Sequence, residues 1–268
     1  MSMYACSDFH GFKSLYYATK EIITKEDKVI FLGDAADRGP FGWELIKLIL
    51  DDPQWYYIIG NHDHMLFQSF LPKNGTLTRL RYARLHEMNG GYNTRIDYGE
   101  DSEKTQTYYL STLMNCPYYF RYTNSCEENI YLSHSGAVHY TFFHDKNMDM
   151  KEKDEGLMEE FVWDRSEYLR PSDYGGYGID RVIHGHTPIP HLINDLNFYQ
   201  IGKTEEELAA EGDSEFIAGK AFFYDKFRRV NLDNATVVTG KATLLNLDTW
   251  ESIPLIVSDE EKPYLWKE

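Results

Sequence analysis

The chain has 268 residues, of which 43 are Asp or Glu and 27 are Lys or Arg, so its net charge is −16. This acidic excess argues against general nucleic-acid binding, which depends on neutralising phosphates. No apolar run approaches the about 20 residues of a membrane-spanning helix, and the first residues lack the features of a signal peptide. We therefore expect a soluble protein that binds neither nucleic acid nor membrane.

The three cysteines, Cys6, Cys116 and Cys126, have no paired spacing. This argues against a disulfide framework and a C-x-x-C zinc site and favours a reducing cytoplasm. The length permits one large domain or two small ones. We predict a single domain over residues 1–268, with helical or loop insertions near 64–115 and 195–225; its oligomeric state stays open.

The first part of the chain alternates between strand and helix patterns. Apolar runs predict strands at residues 3–7, 28–32 and 55–59. The middle run is continuously apolar, as expected of a strand buried on both faces. Helical spacing of apolar residues predicts a helix over 12–23, and Pro40 suits the start of another that runs to about Asp51. This alternation predicts a parallel α/β core.

The rest of the chain is less regular. Residues 64–115 are polar and aromatic, which favours helices around an Asn89-Gly90-Gly91 turn, and 144–160 predict a charged loop before a short helix. Further strands are predicted at 117–122, 129–133 and 181–184. Residues 229–232 and 236–247 predict an antiparallel hairpin around a Thr-Gly-Lys turn.

Five short polar blocks carry the chemistry, and all but the last follow an apolar run directly or nearly so. They are Asp8-Phe9-His10, Gly33-Asp34-Ala35-Ala36-Asp37-Arg38-Gly39, Gly60-Asn61-His62-Asp63, His134-Ser135-Gly136 and His184-Gly185-His186-Thr187. A sheet presents side chains in this way at its carboxyl edge, where open α/β folds keep their ligand sites. Together, in this order, the blocks predict a two-metal phosphoester hydrolase.

The blocks resemble those of the calcineurin-like metallophosphoesterases, and specifically the phosphoprotein phosphatase branch with its D-x-H, G-D-x-x-D-R-G, G-N-H-D/E, H-S/A/G-G and G-H-T elements. The resemblance runs from Asp8 to His186, and its spacing is closest to compact bacterial and phage members. It implies an α/β fold in which a mixed β-sandwich is flanked by helices. The Asn89-Gly90-Gly91 turn also resembles an N-G-G element of bacterial relatives.

The resemblance implies two divalent metal ions with six protein ligands. These are Asp8 and His10 on the first ion, a bridging Asp34, and Asn61, His134 and His186 on the second. A set that mixes carboxylate, amide and imidazole donors suits Mn, Fe or Zn more than Mg or Ca. Manganese is the leading expectation.

The same resemblance implies a catalytic set beside the metals. His62 is the candidate general acid, and Asp37 would hold it in the right tautomer. Arg38 would bind the substrate phosphate, because a guanidinium matches phosphate oxygens in a fork, and Asn61 is assigned to phosphate binding as well as to the metal. The alternatives for Asp37 are a helix cap or a salt bridge to Arg38.

A second phosphate-binding arginine is expected from Trp163-Asp164-Arg165, which resembles a W-x-R element of compact bacterial relatives. We assign Arg165, with Arg170 and the Arg79–Arg84 cluster as alternatives. The alternative for Arg165 is a surface arginine in a charged helix, without a role at the site.

The family pattern aligns G-H-T with His186 rather than His184. Other branches of the superfamily use G-H-x-H, whose second histidine would fall at Pro188, a residue that cannot bind metal. This favours the monoesterase-like branch. The remaining histidines are interpreted as structural or surface residues: His64, His86, His139, His144 and His191.

Three functions compete. The leading hypothesis is a cytoplasmic protein serine/threonine phosphatase, with phosphotyrosine a further substrate, that uses a metal-activated hydroxide. The second is a symmetrical bis(5'-nucleosyl)-tetraphosphatase or another small-molecule phosphatase, whose pocket residues 64–115 and 195–225 would have to supply. The third, an inactive binding module, is disfavoured because every expected ligand is present. The substrate, a phosphorylated protein or a small phosphoester, is not decided by the sequence.

Overall fold

The architecture was analysed in a computed structural model, which describes residues 1–71, 75–136, 155–165, 178–199, 212–213 and 215–267. The strands are β1 (Met3–Cys6), β2 (Lys28–Phe31), β3 (Trp55–Tyr57), β4 (Tyr119–Thr123), β5 (Asn129–Ser133), β6 (Arg181–His184), β7 (Phe222–Tyr224), β8 (Arg229–Asn231), β9 (Lys241–Asn246) and β10 (Ser252–Ile256). The helices are α1 (Lys13–Ile22), α2 (Gly42–Asp51), α3 (Asn61–Phe70), α4 (Thr76–Met88), α5 (Tyr92–Glu100), α6 (Glu103–Met114), α7 (Glu155–Trp163), α8 (Ile189–Tyr199) and the single turn α9 (Thr236–Thr239).

The strands form two mixed sheets, ordered β10-β9-β1-β2-β3 and β4-β5-β6-β8-β7. β1, β2 and β3 are parallel in the first sheet, and β5, β6 and β8 are parallel in the second. Their side chains alternate between two apolar layers. Ala5 and Ile30 pack in one layer with Leu132 and Ile183 of the second sheet. The opposite face of the first sheet packs in the layer that contains residues of α1 and α2. The predicted α/β sandwich with flanking helices is confirmed.

Most predicted elements are confirmed to within a few residues, including strands β1, β2, β3, β5 and β6 and helices α1 and α2. Residues 64–115 are mainly helical, as expected, in α3 to α6. Residues 144–154 of the predicted loop, and residues 200–211 and 214 of the second predicted insertion, lie outside the described residues. At the end of the second range β7 is a strand that the sequence analysis did not foresee.

The predicted hairpin around Thr239-Gly240-Lys241 is wrong. β8 lies in the second sheet and β9 in the first, with α9 between them. Asn234 makes this crossing possible, because its amide donates to the Leu232 carbonyl and to Oγ1 of Thr243, and so ties the end of one sheet to the other. Instead, β8 pairs with β7 and β9 pairs with β10, both antiparallel. In the described part of the chain no helix has the length and apolarity to cross a membrane.

Candidate metal centre and active site

The carboxyl ends of parallel strands from both sheets meet at one edge of the sandwich. The predicted site residues follow β1, β2 and β3 in the first sheet and β5 and β6 in the second. Asp34 lies at their centre and is 2 % exposed. Its Oδ2 is 3.5 Å from Nε2 of His134 and 3.9 Å from Nε2 of His62. Burial raises the pKa of Asp34, but the His134 and His62 imidazoles outweigh it and hold the pKa well below its usual value.

The site backbone is strained. Six of its residues have positive φ without being glycine: Asp8, His10, Asp34, Asp37, Arg38 and His186. Such conformations persist only where the surroundings enforce them, and they cluster at functional sites. Gly60 shows how tight the packing is, since a Cβ there would overlap Oδ1 of Asp34.

His10 presents an acceptor nitrogen to the site. Its Nδ1 donates to the Ala36 carbonyl at 3.2 Å, so Nε2 is the acceptor, and Nε2 lies 3.8 Å from Oδ1 of Asp8. Burial, Arg38 and His62 hold the pKa of His10 well below its usual value, which keeps the ring neutral. A neutral imidazole oriented by a backbone carbonyl is the form that binds metal.

The second cluster lies around Asn61. Its Oδ1 is 3.0 Å from Nε2 of His134 and 3.0 Å from Nδ1 of His186. His134 donates Nδ1 to the Leu32 carbonyl at 2.7 Å, which turns Nε2 toward the site. Burial lowers the pKa of His134, but Asp34 and Asp8 outweigh it and raise the pKa to about 9. This convergence of oxygen and nitrogen atoms suits a cation, and a divalent ion would take the place of the proton.

The residues present fit two metal ions. Among the described residues, His10, Asp34 and His62 form one group and Asp8, Asp34 and His134 another, each with ligand atoms within 4.8 Å of one another. Asp34 belongs to both groups, as a bridging ligand would. Oxygen and imidazole donors without a thiolate suit a borderline divalent ion. The structure thus brings all six predicted ligands together. The groups divide them differently from the prediction, because Asp8 lies with His134 and the group of His10 includes His62.

His62 lies between Asp37 and Arg38. Its Nδ1 donates to Oδ2 of Asp37 at 2.7 Å, and its Nε2 accepts from Nη2 of Arg38 at 2.9 Å. Nη1 of Arg38 donates to Nε2 of His10 at 2.8 Å, so the guanidinium spans the first metal group. Because an imidazole oriented by a carboxylate can act as a metal ligand or as an acid, geometry alone leaves both roles open for His62.

Arg165 reaches the other side of the site, where its Nε donates to Nε2 of His186 at 3.2 Å. Arg81 and Arg84, in the alternative cluster on α4, are exposed, and Arg170 lies outside the described residues. His184 faces away: its Nδ1 donates to the Gly185 carbonyl and its Nε2 accepts from the Tyr224 hydroxyl at 2.7 Å.

Sequence reasoning assigned no role at the site to three buried groups. Asp63 accepts from the backbone N–H groups of Asp34 and Gly60, and burial together with the Asp34 charge raises its pKa to about 6. Asp233 follows β8, and burial together with the Asp233 charge raises the pKa of Asp8. Like the other blocks, Asp233 lies at the end of a strand. His86 was interpreted as structural or surface, but it is buried and donates to Asp37 at 2.6 Å.

The C-terminal segment places an aromatic ring at this site. Trp266 donates its backbone N–H to the Val237 carbonyl, and Leu265 packs against Gly240. The Trp266 ring is 52 % exposed, and the Arg38 guanidinium carbon lies 5.8 Å from its centroid. Arg38 therefore has histidines on one side and an exposed indole on the other.

Comparison with known proteins identifies the class. Residues 1–190 match the family described as calcineurin-like phosphoesterase, and the chain belongs to that family. It is therefore a metal-dependent phosphoester hydrolase.

Individual relatives differ in activity. The asymmetrical bis(5'-nucleosyl)-tetraphosphatase PrpE of Oceanobacillus iheyensis is 24 % identical over 177 residues, which are 62 % of this chain and 66 % of that protein, just under two thirds of its length. A structure described as a candidate diadenosine tetraphosphatase has a TM-score of 0.52 at 15 % identity, covering 96 % of this chain and 94 % of the other. The structure of a protein serine/threonine phosphatase from Saccharomyces cerevisiae, described as similar to human PP5, has a TM-score of 0.50 at 13 % identity. The match covers 87 % of this chain and 67 % of the other. Both structural likenesses concern the fold.

Proposed function

We propose that this protein hydrolyses phosphomonoesters, with phosphoserine and phosphothreonine in proteins as the leading substrates. The observation that supports this most is the buried His62–Asp37 pair, with the two side chains 2.7 Å apart and each at most 1 % exposed. The alkoxide of serine or threonine is strongly basic and needs a proton to leave. A positioned general acid is the group that provides it.

Two divalent ions held by Asp8, His10, Asp34, Asn61, His134 and His186 would supply an activated water and neutralise charge on the phosphoryl oxygens. Arg38 would bind two phosphoryl oxygens through its fork of N–H groups. Once phosphate takes those donors, Nε2 of His62 is released from Arg38 and can bind a proton from solvent. It would then donate this proton to the leaving oxygen. Asp37 holds the ring through Nδ1, and Arg165 would bind the phosphate from the side of His186.

A second candidate is the hydrolysis of dinucleoside tetraphosphates. The specific observation in its favour is Trp266, whose exposed indole lies beside Arg38. A nucleobase linked to a phosphate held by Arg38 would find there a surface to stack on. The relative from Oceanobacillus iheyensis is named for this reaction. Against it, a nucleotide is a better leaving group than an alkoxide, so a buried acid would contribute less.

A substrate panel in Mn²⁺ tests the proposal: a phosphoserine peptide, p-nitrophenyl phosphate, diadenosine tetraphosphate and a phosphodiester. We expect kcat/KM to be highest for the phosphopeptide. Preference for the tetraphosphate would support the second candidate, and its products would distinguish symmetrical cleavage, which gives ADP alone, from asymmetrical cleavage, which gives ATP and AMP. Cleavage of the phosphodiester alone would contradict the argument from Pro188.

A further inference from the structure

The Asp37 carboxylate holds two imidazoles, one on each oxygen. Oδ2 accepts from Nδ1 of His62 at 2.7 Å, and Oδ1 accepts from Nε2 of His86 at 2.6 Å. All three side chains are at most 1 % exposed. We propose that His86 is a positioning residue, which fixes the Asp37 carboxylate so that it orients His62 as general acid. The inference rests on the proposed role of His62.

The hydrogen bond to Asp37 is the polar contact of the His86 ring. Within the described residues Nδ1 of His86 has no hydrogen-bond partner, so its ring is oriented by the Nε2–H that points at the carboxylate. Burial raises the pKa of Asp37, but His86 and His62 outweigh it and lower the pKa to about 2. Asp37 therefore stays ionised, and hydrogen bonds to an ionised acceptor are the strong ones.

The Asn89-Gly90-Gly91 turn presses the His86 ring into place. The ring packs flat on Gly91, where a Cβ would lie 2.6 Å from three of the ring atoms. The Gly91 N–H also donates to the His86 carbonyl at 2.9 Å. A side chain at residue 91 would push the imidazole away from its place, which gives this turn a physical reason for its second glycine.

The segment around this turn, residues 86–94, braces the catalytic loop at two further points. The Gly90 carbonyl accepts from the Arg38 N–H at 3.0 Å, and Oγ1 of Thr94 accepts from the Asp37 N–H at 2.9 Å. Asp37 and Arg38 are consecutive residues with φ of 73° and 66°. Such strain needs enforcement from outside the loop. Gly90 and Thr94 hold its backbone, whereas His86 contacts the Asp37 carboxylate itself.

The test compares leaving groups. Phenyl phosphate and p-nitrophenyl phosphate are similar in shape, but they differ in the leaving group. Phenolate is basic and depends on a general acid to protonate it, whereas p-nitrophenolate leaves readily without one. His86→Phe keeps a ring and removes the N–H; we expect kcat on phenyl phosphate to fall about 10–100-fold, the usual cost of an outer-shell partner, and to fall much less on p-nitrophenyl phosphate. KM and metal content should stay the same. His86→Gln, which retains a donor, should recover most of the loss.

A matched control lies on the same helix. Tyr82 is buried on α4 and donates to Glu159 at 2.7 Å, outside the site. Tyr82→Phe should leave both substrates unaffected. If His86→Phe does not fold, Gly91→Ala is the substitute, because it displaces the ring without deleting it and should produce the same selective loss.

His62→Asn separates the inference from the proposed function. We expect it to lose activity selectively on phenyl phosphate, and His86→Phe should add little in the His62→Asn background, because it acts through the same acid. If His62→Asn is selective but the His86 and Gly91 variants lower both substrates equally, or lower neither, the inference about His86 is overturned. If His62→Asn itself is not selective, the proposed general acid is wrong.

Discussion

Nε2 of His134 and Oδ1 of Asn61 face each other at 3.0 Å with almost no solvent around them. Nδ1 of His134 is already occupied by the Leu32 carbonyl, and Oδ2 of Asp34 approaches the same Nε2 to 3.5 Å. The two oxygens converge on this ring nitrogen in a buried space, an arrangement that is stable with a cation among the three atoms, either the proton on His134 or a metal ion in its place. This relationship underlies our interpretation of the second metal.

The first prediction concerns the metal content of Asp34→Asn. We expect two ions per chain in the wild type, loss of turnover on chelation and recovery with Mn²⁺. The substitution should lose both ions, because Asp34 belongs to both ligand groups. Elemental analysis measures this directly. Asp259→Asn, which removes an exposed carboxylate, is the control, and one ion or none in an active wild-type preparation would contradict the two-metal assignment.

The second prediction separates the two histidines of the last block. His186→Ala should lose the second ion and essentially all activity. His184→Phe should keep both ions and most activity, but we expect it to lower the free energy of unfolding by about 1–3 kcal/mol, because it removes hydrogen bonds to Tyr224 and Gly185. Metal analysis measures the ions bound to each variant, and urea unfolding measures the free energy of unfolding. Equal loss of metal in both variants would mean that His184 also binds.

The third prediction is a dependence of stability on pH that arises at His64. Burial lowers the pKa of His64 to about 4, whereas in the unfolded chain it is about 6.5. Between these values the unfolded chain binds the extra proton, so this contribution is complete above about pH 6.5 and is lost as the pH falls toward 4. The difference corresponds to about 3 kcal/mol.

His64→Phe should therefore lose less stability than the wild type between pH 7.5 and pH 4.5, measured by urea unfolding of metal-free protein. His191→Asn, which replaces an exposed histidine, should follow the wild type. Parallel curves for all three proteins would show that His64 is not buried neutral.

Much of the fold and site could be predicted from the sequence, since each polar block follows a strand and parallel strands end at one edge. Asp233 obeys the same rule, and its strand β8 was recognised, but pairing it with β9 placed it in the wrong sheet. His86 could not be predicted. It lies on α4, which has no clear apolar face, and its contact with Asp37 depends on the path of the whole helical segment.

The backbone conformation of the site could not be predicted from the sequence either. Residues such as Asp8, Asp37 and His186 carry positive φ. Asp and His adopt this conformation more often than most residues, but the residue type alone does not predict where it occurs. The surrounding contacts impose it, among them the Asp63 carboxylate under the backbone of Asp34 and the Gly90 carbonyl under Arg38. Local propensity predicts the strands well but does not predict turns that tertiary contacts enforce.

The fourth prediction uses Trp266 to decide between substrate classes. If diadenosine tetraphosphate is a substrate, Trp266→Ala should raise its KM about tenfold, in line with the value of one base–aromatic stack. The KM for a phosphoserine peptide should not change. Tyr264→Ala is the matched control, because Tyr264 is 49 % exposed on the same segment. An equal effect of both variants would assign the loss to the segment as a whole.

The last prediction tests His62 as the general acid against His62 as a metal ligand. The geometry alone permits both roles, since His62 lies in a group with His10 and Asp34. As an acid it should matter in proportion to the basicity of the leaving group, and general acid catalysis is typically worth about 10²–10⁴ in rate. His62→Asn should lose about that much on a phosphoserine peptide and distinctly less on p-nitrophenyl phosphate, with two ions still bound. Asp37→Asn should show the same pattern in weaker form, because it disturbs the orientation of His62 without removing the imidazole. Loss of an ion in His62→Asn, with equal loss of activity on both substrates, would instead assign the residue to the metal.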